Sequence, residues 1–232
     1  MKLAIMQPYV FPYIGYFQLL NAVDTFVVYD DVHYIKKGWI NRNTLLVNSR
    51  SHRFTIPLQR MSQNKLINEL SICDSQKWKI DFLKTVQNAY HKAPYFDDVY
   101  PMLQRIINYE DLNLATYIQF SLQQLCDYLK IDTMIIRSSE ITKDNDLKGE
   151  SKILNICTQL HATDYINAIG GAELYDKKRF EDQTISLHFI RSEAIRYRQF
   201  TDEFVPWLSI IDVVMFNSVV ETTELLNKFE LV

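Results

Sequence analysis

The residues best suited to chemistry are two adjacent acids, Asp30 and Asp31, which end an apolar segment and are followed closely by His33. A carboxylate can accept a proton, bind an ammonium group or hold Mg²⁺, and an imidazole can act as acid or base near neutral pH. Aspartate is also common in turns, where its side chain caps the backbone. We therefore expect one acid to be functional and the other structural, with His33 as the third candidate catalytic residue.

A loop rich in cations, amides and aromatic rings follows the acids. Lys36 and Arg42 could neutralise a phosphate or diphosphate, the arginine through two parallel hydrogen bonds. Trp39 could stack on a base or a sugar, and Asn41 adds hydrogen-bonding capacity. The alternative is a solvated, charged loop without a ligand. We take these four residues as candidate binding residues.

Three glycines stand where the backbone could approach a ligand closely. Gly170 and Gly171 follow an apolar segment, and successive amides there can cradle an anion, although a plain turn between strand and helix would look the same. Gly15 lies in the first turn of a predicted helix, where a helix-forming residue would be more favourable by ~1 kcal/mol. Either a ligand or tight packing on the sheet explains it. No G-x-x-x-x-G-K-[ST] or G-x-G-x-x-G pattern is present, which argues against the common nucleotide-binding loops.

Another acid that needs an explanation is Asp212, which lies between Ile211 and Val213 in an apolar run. A carboxylate there must find partners or line a cleft. Tyr197 and Gln199 stand in a neighbouring stretch where polar and large apolar residues alternate, and we group them with Asp212 as candidate binding residues. The histidines show no metal-ligand spacing, so we predict no metal site, and the absence of a G-x-S-x-G elbow argues against a hydrolase triad.

The predicted elements bring these residues to one edge of a sheet. Leu3–Met6 and Thr25–Tyr29 read as strands joined by a short helix, a βαβ unit in which the two strands are parallel. Both strands end in polar residues, Gln7 after the first and the two acids after the second. A later strand ends at the serine pair 138–139, and another at the glycine pair. Open α/β sheets bind ligands at this edge, so we expect a site assembled from both halves of the chain.

The remaining pattern predicts an α/β fold with a mainly parallel sheet flanked by helices, together with a β-hairpin and a helical insertion. The hairpin pairs Thr44–Val47 with Arg53–Leu58 around a five-residue turn, and the helical section covers roughly 76–130, with breaks at Pro94 and Pro101. Further strands are expected at Ile67–Ile72, Thr184–Ile190 and Ile195–Phe200, and closing helices at Ser209–Phe216 and Val219–Phe229. We treat residues 1–232 as a single domain.

Composition narrows the classes of partner. The chain of 232 residues carries 25 basic and 28 acidic side chains, which gives no footprint for DNA binding. Three cysteines without C-x-x-C spacing indicate reduced thiols in a cytoplasmic protein. The apolar stretch after Lys2 is too short for a signal peptide, and no apolar run is long enough to span a bilayer, so we expect no stable membrane insertion. Composition does not determine the oligomeric state, and a homo-oligomer is one of the options.

Several stretches carry a family resemblance. In the N-terminal part they are Q-P-x-x-x-P-Y-x-G-Y-F from Gln7 to Phe17, D-x-F-V-x-Y-D-D-V-x-Y from Asp24 to Tyr34, and W-I-N-R-N from Trp39 to Asn43. The C-terminal half adds Tyr165-Ile166-Asn167 with Gly170-Gly171 and Glu173-Leu174-Tyr175, then Tyr197-Arg198-Gln199-Phe200, Phe204-Val205-Pro206 and the run from Leu208 to Asp212. Over nearly the whole chain, the sequence resembles the WbqC-like protein family.

The resemblance implies a role in bacterial surface polysaccharide, such as the O-antigen of lipopolysaccharide, and some members carry a glycine-transferase label. It implies an acyl or aminoacyl transferase that modifies the amine of a nucleotide-linked amino sugar. Gln7, Tyr13, Asn167 and Tyr175 then join the candidate binding residues. No cofactor is assigned, and the donor is left open among ATP with a free amino acid, an acyl carrier and a charged tRNA. The alternatives are a nucleotide-sugar-binding module without chemistry and an interaction protein of polysaccharide assembly.

Overall fold

A computed structural model describes residues 1–232, and its centre is a six-stranded sheet. The strands are β1 (Lys2–Met6), β2 (Thr25–Val28), β3 (Arg42–Val47), β4 (Arg50–Thr55), β5 (Leu58–Gln59), β6 (Ser71–Ile72), β7 (Met134–Arg137), β8 (Asp164–Ala168), β9 (Ser186–Ser192) and β10 (Phe229–Leu231). The helices are α1 (Ile14–Asn21), α2 (Gln76–Tyr90), α3 (Phe96–Ile107), α4 (Leu114–Leu129), α5 (Gly149–Gln159), α6 (Lys177–Glu181), α7 (Ile210–Phe216) and α8 (Val219–Leu226). No helix is both long enough and apolar enough to cross a bilayer.

The central sheet has the order β10-β9-β8-β1-β2-β7. Its neighbours are parallel except for β10, which runs antiparallel to β9. Two small antiparallel pairs, β3 with β4 and β5 with β6, lie outside it. The mainly parallel sheet with flanking helices confirms the predicted α/β fold class.

Alternating side chains of the central strands enter two hydrophobic cores, one on each face of the sheet. From β1, Ala4 joins the larger core with α1 and the helical section, whereas Leu3 and Ile5 join the smaller core with α5 and α6. Successive side chains of a strand point to opposite faces, so a strand covered on both faces is apolar throughout. This explains why short, almost uniformly apolar runs form the central strands.

The direction in which the chain crosses the sheet reverses next to β1. From β1 the chain moves to β2 and β7 on one side, and it then returns to β8 and β9 on the other. The loop after β1 leads to α1 on the face of the larger core, and the loop after β8 leads to α6 on the opposite face, where Phe180 is buried. Loops that diverge in this way leave a crevice at the carboxyl ends of the strands, where open α/β sheets bind ligands.

Two predictions were wrong: the length of the hairpin turn and the end of a helix at Pro101. The hairpin turns at Asn48 and Ser49, whose φ angles of 50° and 57° form a two-residue turn and not the predicted five-residue turn. Two successive positive φ angles match the twist of the flanking strands. Pro101 does not end its helix but lies inside α3. Burial of Leu103 and Ile106 on the same helix offsets the ~3 kcal/mol by which an internal proline disfavours a helix.

The structure differs from the prediction at three further elements, two of them near loops and one at the C-terminus. The segment Ile195–Phe200 is an irregular loop and not a strand. Ile67–Ile72 forms a 3-10 turn followed by the two residues of β6. The last helix ends at Leu226, and the residues after it form β10 at the sheet edge. A strand as short as β10 shows no recognisable period of two, so its pattern could not be separated from that of the preceding helix.

The loop after β1 is held by side chains from distant elements. Asn43 donates to the carbonyl oxygens of Val10 at 3.3 Å and Phe11 at 2.9 Å, and Ser209 Oγ donates to the Phe11 carbonyl at 2.7 Å. Phe11 is buried with a φ of 43°, a conformation that bulky residues adopt only when their surroundings enforce it. The loop between Gln7 and α1 is therefore fixed within the protein itself.

We expect Asn43→Leu to lower the free energy of unfolding by about 1–3 kcal/mol, because the Val10 carbonyl would lose its side-chain donor and the Phe11 carbonyl would keep only Ser209. Urea unfolding followed by circular dichroism measures the change. Asn88→Leu, at an exposed position of α2, is the matched control and should change the free energy by less than ~0.5 kcal/mol. Equal effects of the two substitutions would show that Asn43 does not hold the loop.

Candidate functional site

Asp30 joins the carboxyl ends of β2 and β7. Its carboxylate is fully buried and accepts hydrogen bonds from the Ser139 amide at 2.9 Å and the Ser139 hydroxyl at 2.7 Å. The Ser138 hydroxyl lies 2.9 Å from the same carboxylate and accepts a hydrogen bond from the Asp30 amide at 3.1 Å. A buried carboxylate surrounded by donors has no open face for a substrate, and these hydrogen bonds tie the two strand ends together.

Asp31 holds two buried lysines. Its Oδ2 lies 2.9 Å from Lys143 Nζ and 3.0 Å from Lys152 Nζ, and these lysine side chains are only 2% and 8% exposed. The Ser138 hydroxyl lies between the two acids and also contacts Asp31 Oδ1. Burial alone would raise the pKa of Asp31, but the hydrogen bonds from the serine and the lysines outweigh burial and lower the pKa below its ordinary value. Asp31 is therefore ionised at neutral pH and is a weak base.

A cleft of about 510 Å³ opens beside this cluster. Its polar lining includes Asp31, His33, Ser139, Lys143, Lys148 and Lys152. Lysines outnumber the ionised acid, so the cleft carries a positive excess. The first turn of α5 borders it at Gly149, and no side chain caps the amides of that turn. Free amides, the helix dipole and nearby lysines together favour an anion such as a phosphate.

His33 is the one imidazole on the cleft. Its backbone forms an isolated bridge with Leu66, which fixes its position, and its side chain is exposed. An imidazole in this position can accept a proton from a ligand in the cleft. The structure thus brings two of the three candidate catalytic residues, Asp31 and His33, to the same cavity and leaves Asp30 beneath it.

The candidate binding residues of the loop from 35 to 42 do not line the cleft. Asn41 is buried, and its side chain accepts from a tyrosine hydroxyl at 2.8 Å and donates to a backbone carbonyl at 2.8 Å. Arg42 Nε donates to a carbonyl of its own loop at 2.8 Å. Lys36 and Trp39 are exposed. Asn41 therefore has a structural role, and the cations of this loop lie away from the buried lysines.

The loop after β8 carries the glycine pair and two of its candidate partners. Asn167 Nδ2 donates to Tyr165 Oη at 3.2 Å, and that hydroxyl lies 3.3 Å from Tyr175 Oη. A Cβ on Gly171 would lie 3.2 Å from Asn167 Nδ2, whereas a Cβ on Gly170 would meet nothing within 4 Å. Packing therefore explains Gly171, and Gly170 leaves open space at the sheet edge.

Gly15 is required by the packing of the protein itself. A Cβ there would lie 2.5 Å from Cε2 of Tyr13. Gln7, at the start of the same loop, accepts a hydrogen bond at its carbonyl from Tyr16 Oη at 3.0 Å. Tyr13, Gly15 and Tyr197 line a second, smaller cavity that is separate from the cationic cleft. Three candidate binding residues thus line this second cavity, whereas none lines the cationic cleft, which contains the candidate catalytic residues Asp31 and His33.

Asp212 is buried among neutral donors. It accepts hydrogen bonds from Tyr90 Oη at 2.9 Å, Tyr197 Oη at 2.6 Å and Gln199 Nε2 at 2.8 Å. Burial raises the pKa of Asp212, although these hydrogen bonds favour its ionised form. The carboxylate has the partners that its apolar surroundings require, and it connects three separate segments of the chain.

The cysteines take no part in either cavity. All three thiols are free. Cys126 and Cys157 are buried, and burial raises the pKa of each thiol to about 12. Neither forms a thiolate at neutral pH, so neither can serve as a nucleophile there.

Comparison with known proteins gives the family. The family model described as the WbqC-like protein family matches residues 7–224. The chain belongs to the WbqC-like family. It is also similar to the uncharacterized protein Rv1507c of Mycobacterium tuberculosis (strain ATCC 25618 / H37Rv), at 29% identity over 229 residues, which cover 97% of each chain. No solved structure matches.

The cleft of this WbqC-like protein contains lysines that the sequence alone did not single out. Lys143 and Lys148 lie in a charged stretch of the sequence, and Lys152 lies on α5. The contact between Lys152 and Asp31 spans 121 positions, so no local pattern reveals it. The one available signal was the serine pair after β7, because it placed the following residues at the same sheet edge as the acids.

We expect Asp31→Asn to destabilise this WbqC-like protein by about 3 kcal/mol at neutral pH, because two buried lysines would lose their counter-charge. The folded protein lowers the pKa of Asp31, so its contribution is present above the ordinary carboxyl pKa of 3.8 and is lost as the pH falls through the lower native value. Urea unfolding of both proteins between about pH 7 and about pH 3 measures the difference. Asp81→Asn, at an exposed position of α2, is the matched control. A difference that did not shrink in acid would contradict this assignment.

Proposed function

We propose that this protein transfers an acyl or aminoacyl group to the amine of a nucleotide-linked amino sugar. The observation that carries the proposal is the cleft in which Asp31 holds two lysines beside the uncapped first turn of α5. Glycyl is the group that the family resemblance favours, and the product would enter a bacterial surface polysaccharide such as O-antigen. Family membership supports this setting, and the site supports the chemistry.

The cationic cleft accounts for recognition of the nucleotide part of the substrate. A diphosphate needs several donors and a positive field in one place. The α5 amides supply fixed donors, Lys148 lies on the exposed side of the cleft, and the two buried lysines are already oriented by Asp31. Donors and charges that are fixed in advance need no rearrangement when the ligand binds.

His33 is the proposed proton acceptor. When the sugar amine attacks the carbonyl carbon of the donor, a C–N bond forms, the bond to the leaving group breaks with its electron pair, and the amine gives up a proton. Asp31 is poorly suited to take that proton because its pKa is lowered. His33 faces the same cleft with an exposed imidazole, so it can take the proton. Asp30 keeps the two strand ends in position beneath it.

The open sheet edge provides room for the ribose of the nucleotide. Gln7 follows β1 and Gly170 follows β8, and these two strands are neighbours at the point where the chain reverses its direction across the sheet. The space around Gly170 would let a sugar lie against the backbone. Tyr175 borders the same loop and could bind a hydroxyl of the ribose, whereas the buried side chain of Asn167 is hydrogen-bonded within the protein. We therefore place the ribose between the diphosphate in the cleft and the loop after β8, and the amino sugar on the far side of the diphosphate.

Mass spectrometry of the sugar nucleotide tests the transfer. The protein is incubated with nucleotide-linked amino sugars and with each donor in turn: ATP with free glycine, an acyl carrier and a charged tRNA. We expect the sugar to gain the mass of the transferred group. His33→Ala should lower the rate by roughly 10²–10⁴, because the attacking amine loses its proton acceptor. His91→Ala, at the exposed C-terminal end of α2, is the matched control and should leave the rate unchanged.

A folded His33→Ala variant with wild-type turnover would contradict the role of His33. Substitutions of the basic residues test in the same assay where the diphosphate binds. Loss of activity in Lys148→Ala supports the cleft. Loss of activity in Lys36→Ala and Arg42→Ala, without an effect of Lys148→Ala, would move the diphosphate to the loop from 35 to 42.

A nucleotide-sugar-binding module without chemistry is the second candidate. The pairing of Asp31 with two lysines favours this second candidate. The lysines suit an anion, and the paired Asp31 cannot act as a base, so His33 is the one remaining base on the cleft. Binding of a nucleotide-linked amino sugar without a mass gain from any donor would support this candidate. If no nucleotide sugar changes the melting temperature, the remaining candidate is an interaction protein of polysaccharide assembly.

A further inference from the structure

A second cavity of about 260 Å³ lies between the first turn of α1 and the loop from 193 to 208. Its lining includes four aromatic side chains, Tyr13, Tyr197, Phe204 and Trp207. Since α1 begins beyond the carboxyl end of β1 and the loop begins at that of β9, the cavity opens at the same sheet edge as the cationic cleft. Unlike the cleft, it is mostly apolar.

The aromatic walls are held in place by contacts within the protein. Tyr197 Oη donates to Asp212 at 2.6 Å, and the ring of Phe204 packs edge-on against Tyr197 with 5.1 Å between the ring centroids. Trp207 is 81% exposed, yet its carbonyl accepts a hydrogen bond from Thr44 Oγ1 at 3.2 Å. Its φ of 62° lies in the left-handed region, which such contacts must stabilise. The rings of Tyr197 and Phe204 and the backbone of Trp207 are therefore in place before any ligand binds, and the exposed ring of Trp207 stands at the mouth of the cavity.

Asp212 anchors the loop that forms one side of the cavity. Gln199 donates to Asp212 at 2.8 Å and also pairs with the backbone of Val205, donating to its carbonyl at 3.1 Å and accepting from its amide at 2.8 Å. The ends of the stretch from 199 to 205 are thus joined to each other and to a buried acid. A buried carboxylate is unfavourable unless its partners need it, and here its partners are the residues that shape the cavity.

A polar rim accompanies the aromatic walls. The backbone amides and carbonyls of Ala194, Ile195 and Arg196 form no hydrogen bond within the chain, although these residues line the cavity. The Ser192 hydroxyl lies on the same lining. A ligand that uses the whole surface would have flat apolar faces and a rim of donors and acceptors.

We propose that this cavity binds the nucleobase of a nucleotide-linked substrate. This rests on the proposed function, because it states where the base of that substrate lies. A nucleobase stacks its two faces on aromatic rings and hydrogen-bonds through its edge, which matches both features of the cavity. An acyl chain would contact the aromatic walls but leave the polar rim unused.

The size and position of the cavity fit one ring system of a longer ligand. Pockets that enclose a whole drug-sized ligand measure ~300–1,000 Å³, and this cavity of about 260 Å³ is smaller. The ends of β9 and β2 are three strand intervals apart, which amounts to roughly 14 Å at ~4.8 Å per interval. Because α1 covers one face and α5 the other, the ribose would cross the edge at the crevice between β1 and β8 and leave the diphosphate in the cleft.

Isothermal titration of the full chain with pyrophosphate and with the 5′-diphosphates of uridine, thymidine, cytidine, guanosine and adenosine tests this assignment. We expect at least one nucleoside diphosphate to bind about tenfold more tightly than pyrophosphate, and Trp207→Ala to remove that advantage while leaving pyrophosphate affinity unchanged. Trp207→Phe should retain most of the advantage. Ile80→Ala, at an exposed position of α2, is the matched control.

Three results would overturn the proposal. The first is that pyrophosphate and all the nucleoside diphosphates bind with equal affinity. The second is that a nucleoside diphosphate binds more tightly than pyrophosphate and keeps this advantage in Trp207→Ala. The third is that butyryl-pantetheine binds tightly and Trp207→Ala removes this binding without changing the affinity for nucleotides. The last result would make the cavity an acyl site. Pyrophosphate affinity itself, and its loss in Lys148→Ala, reports on the cationic cleft, so failure of the proposed function is distinguished from failure of the nucleobase site.

Discussion

A hydrogen-bonded junction between the end of β2 and the end of β7 shapes the cationic cleft. The Ser138 hydroxyl lies between Asp30 and Asp31, and Asp31 in turn holds Lys143 and Lys152. Burying acids and lysines is unfavourable unless each has partners, so the members of this junction are stable only together. Because Lys152 belongs to α5, the same junction fixes the helix whose first turn faces the cleft.

Two acids shape the two cavities in different ways. Burial would raise the pKa of Asp31, but hydrogen bonds from Ser138 and from two lysines lower it, and the lysines leave a positive excess around an open cleft. Asp212 is paired only with hydroxyl and amide donors, and burial raises its pKa. Asp212 therefore has only neutral partners, and the cavity beside it is mostly aromatic and apolar, although Glu193 and Arg196 also line it. A ligand with an anionic part and a flat aromatic part matches this difference.

The sequence predicted the sheet edge and its acids because both depend on local patterns. Short apolar runs that end in polar residues identify strands, and the parallel βαβ unit places Gln7 and Asp30 at the same edge. The buried lysines were not predicted, since a lysine in a charged loop looks solvated until a distant acid pairs with it. Asn41 shows the converse: its place in a polar loop suggested ligand binding, whereas its hydrogen bonds are internal. The close approach of the Tyr13 ring explains Gly15. The sequence alone could not distinguish this contact from a contact with a ligand.

Our proposals require that the carboxyl edge of the sheet binds a phosphorylated ligand through the cleft held by Asp31. A crystal structure of the protein with pyrophosphate tests this requirement. We expect both phosphorus atoms in the cleft, with their oxygens within hydrogen-bonding distance of the first amides of α5 and of Lys148. Pyrophosphate bound instead on the loop from 35 to 42, or away from the carboxyl ends of the strands, would contradict it.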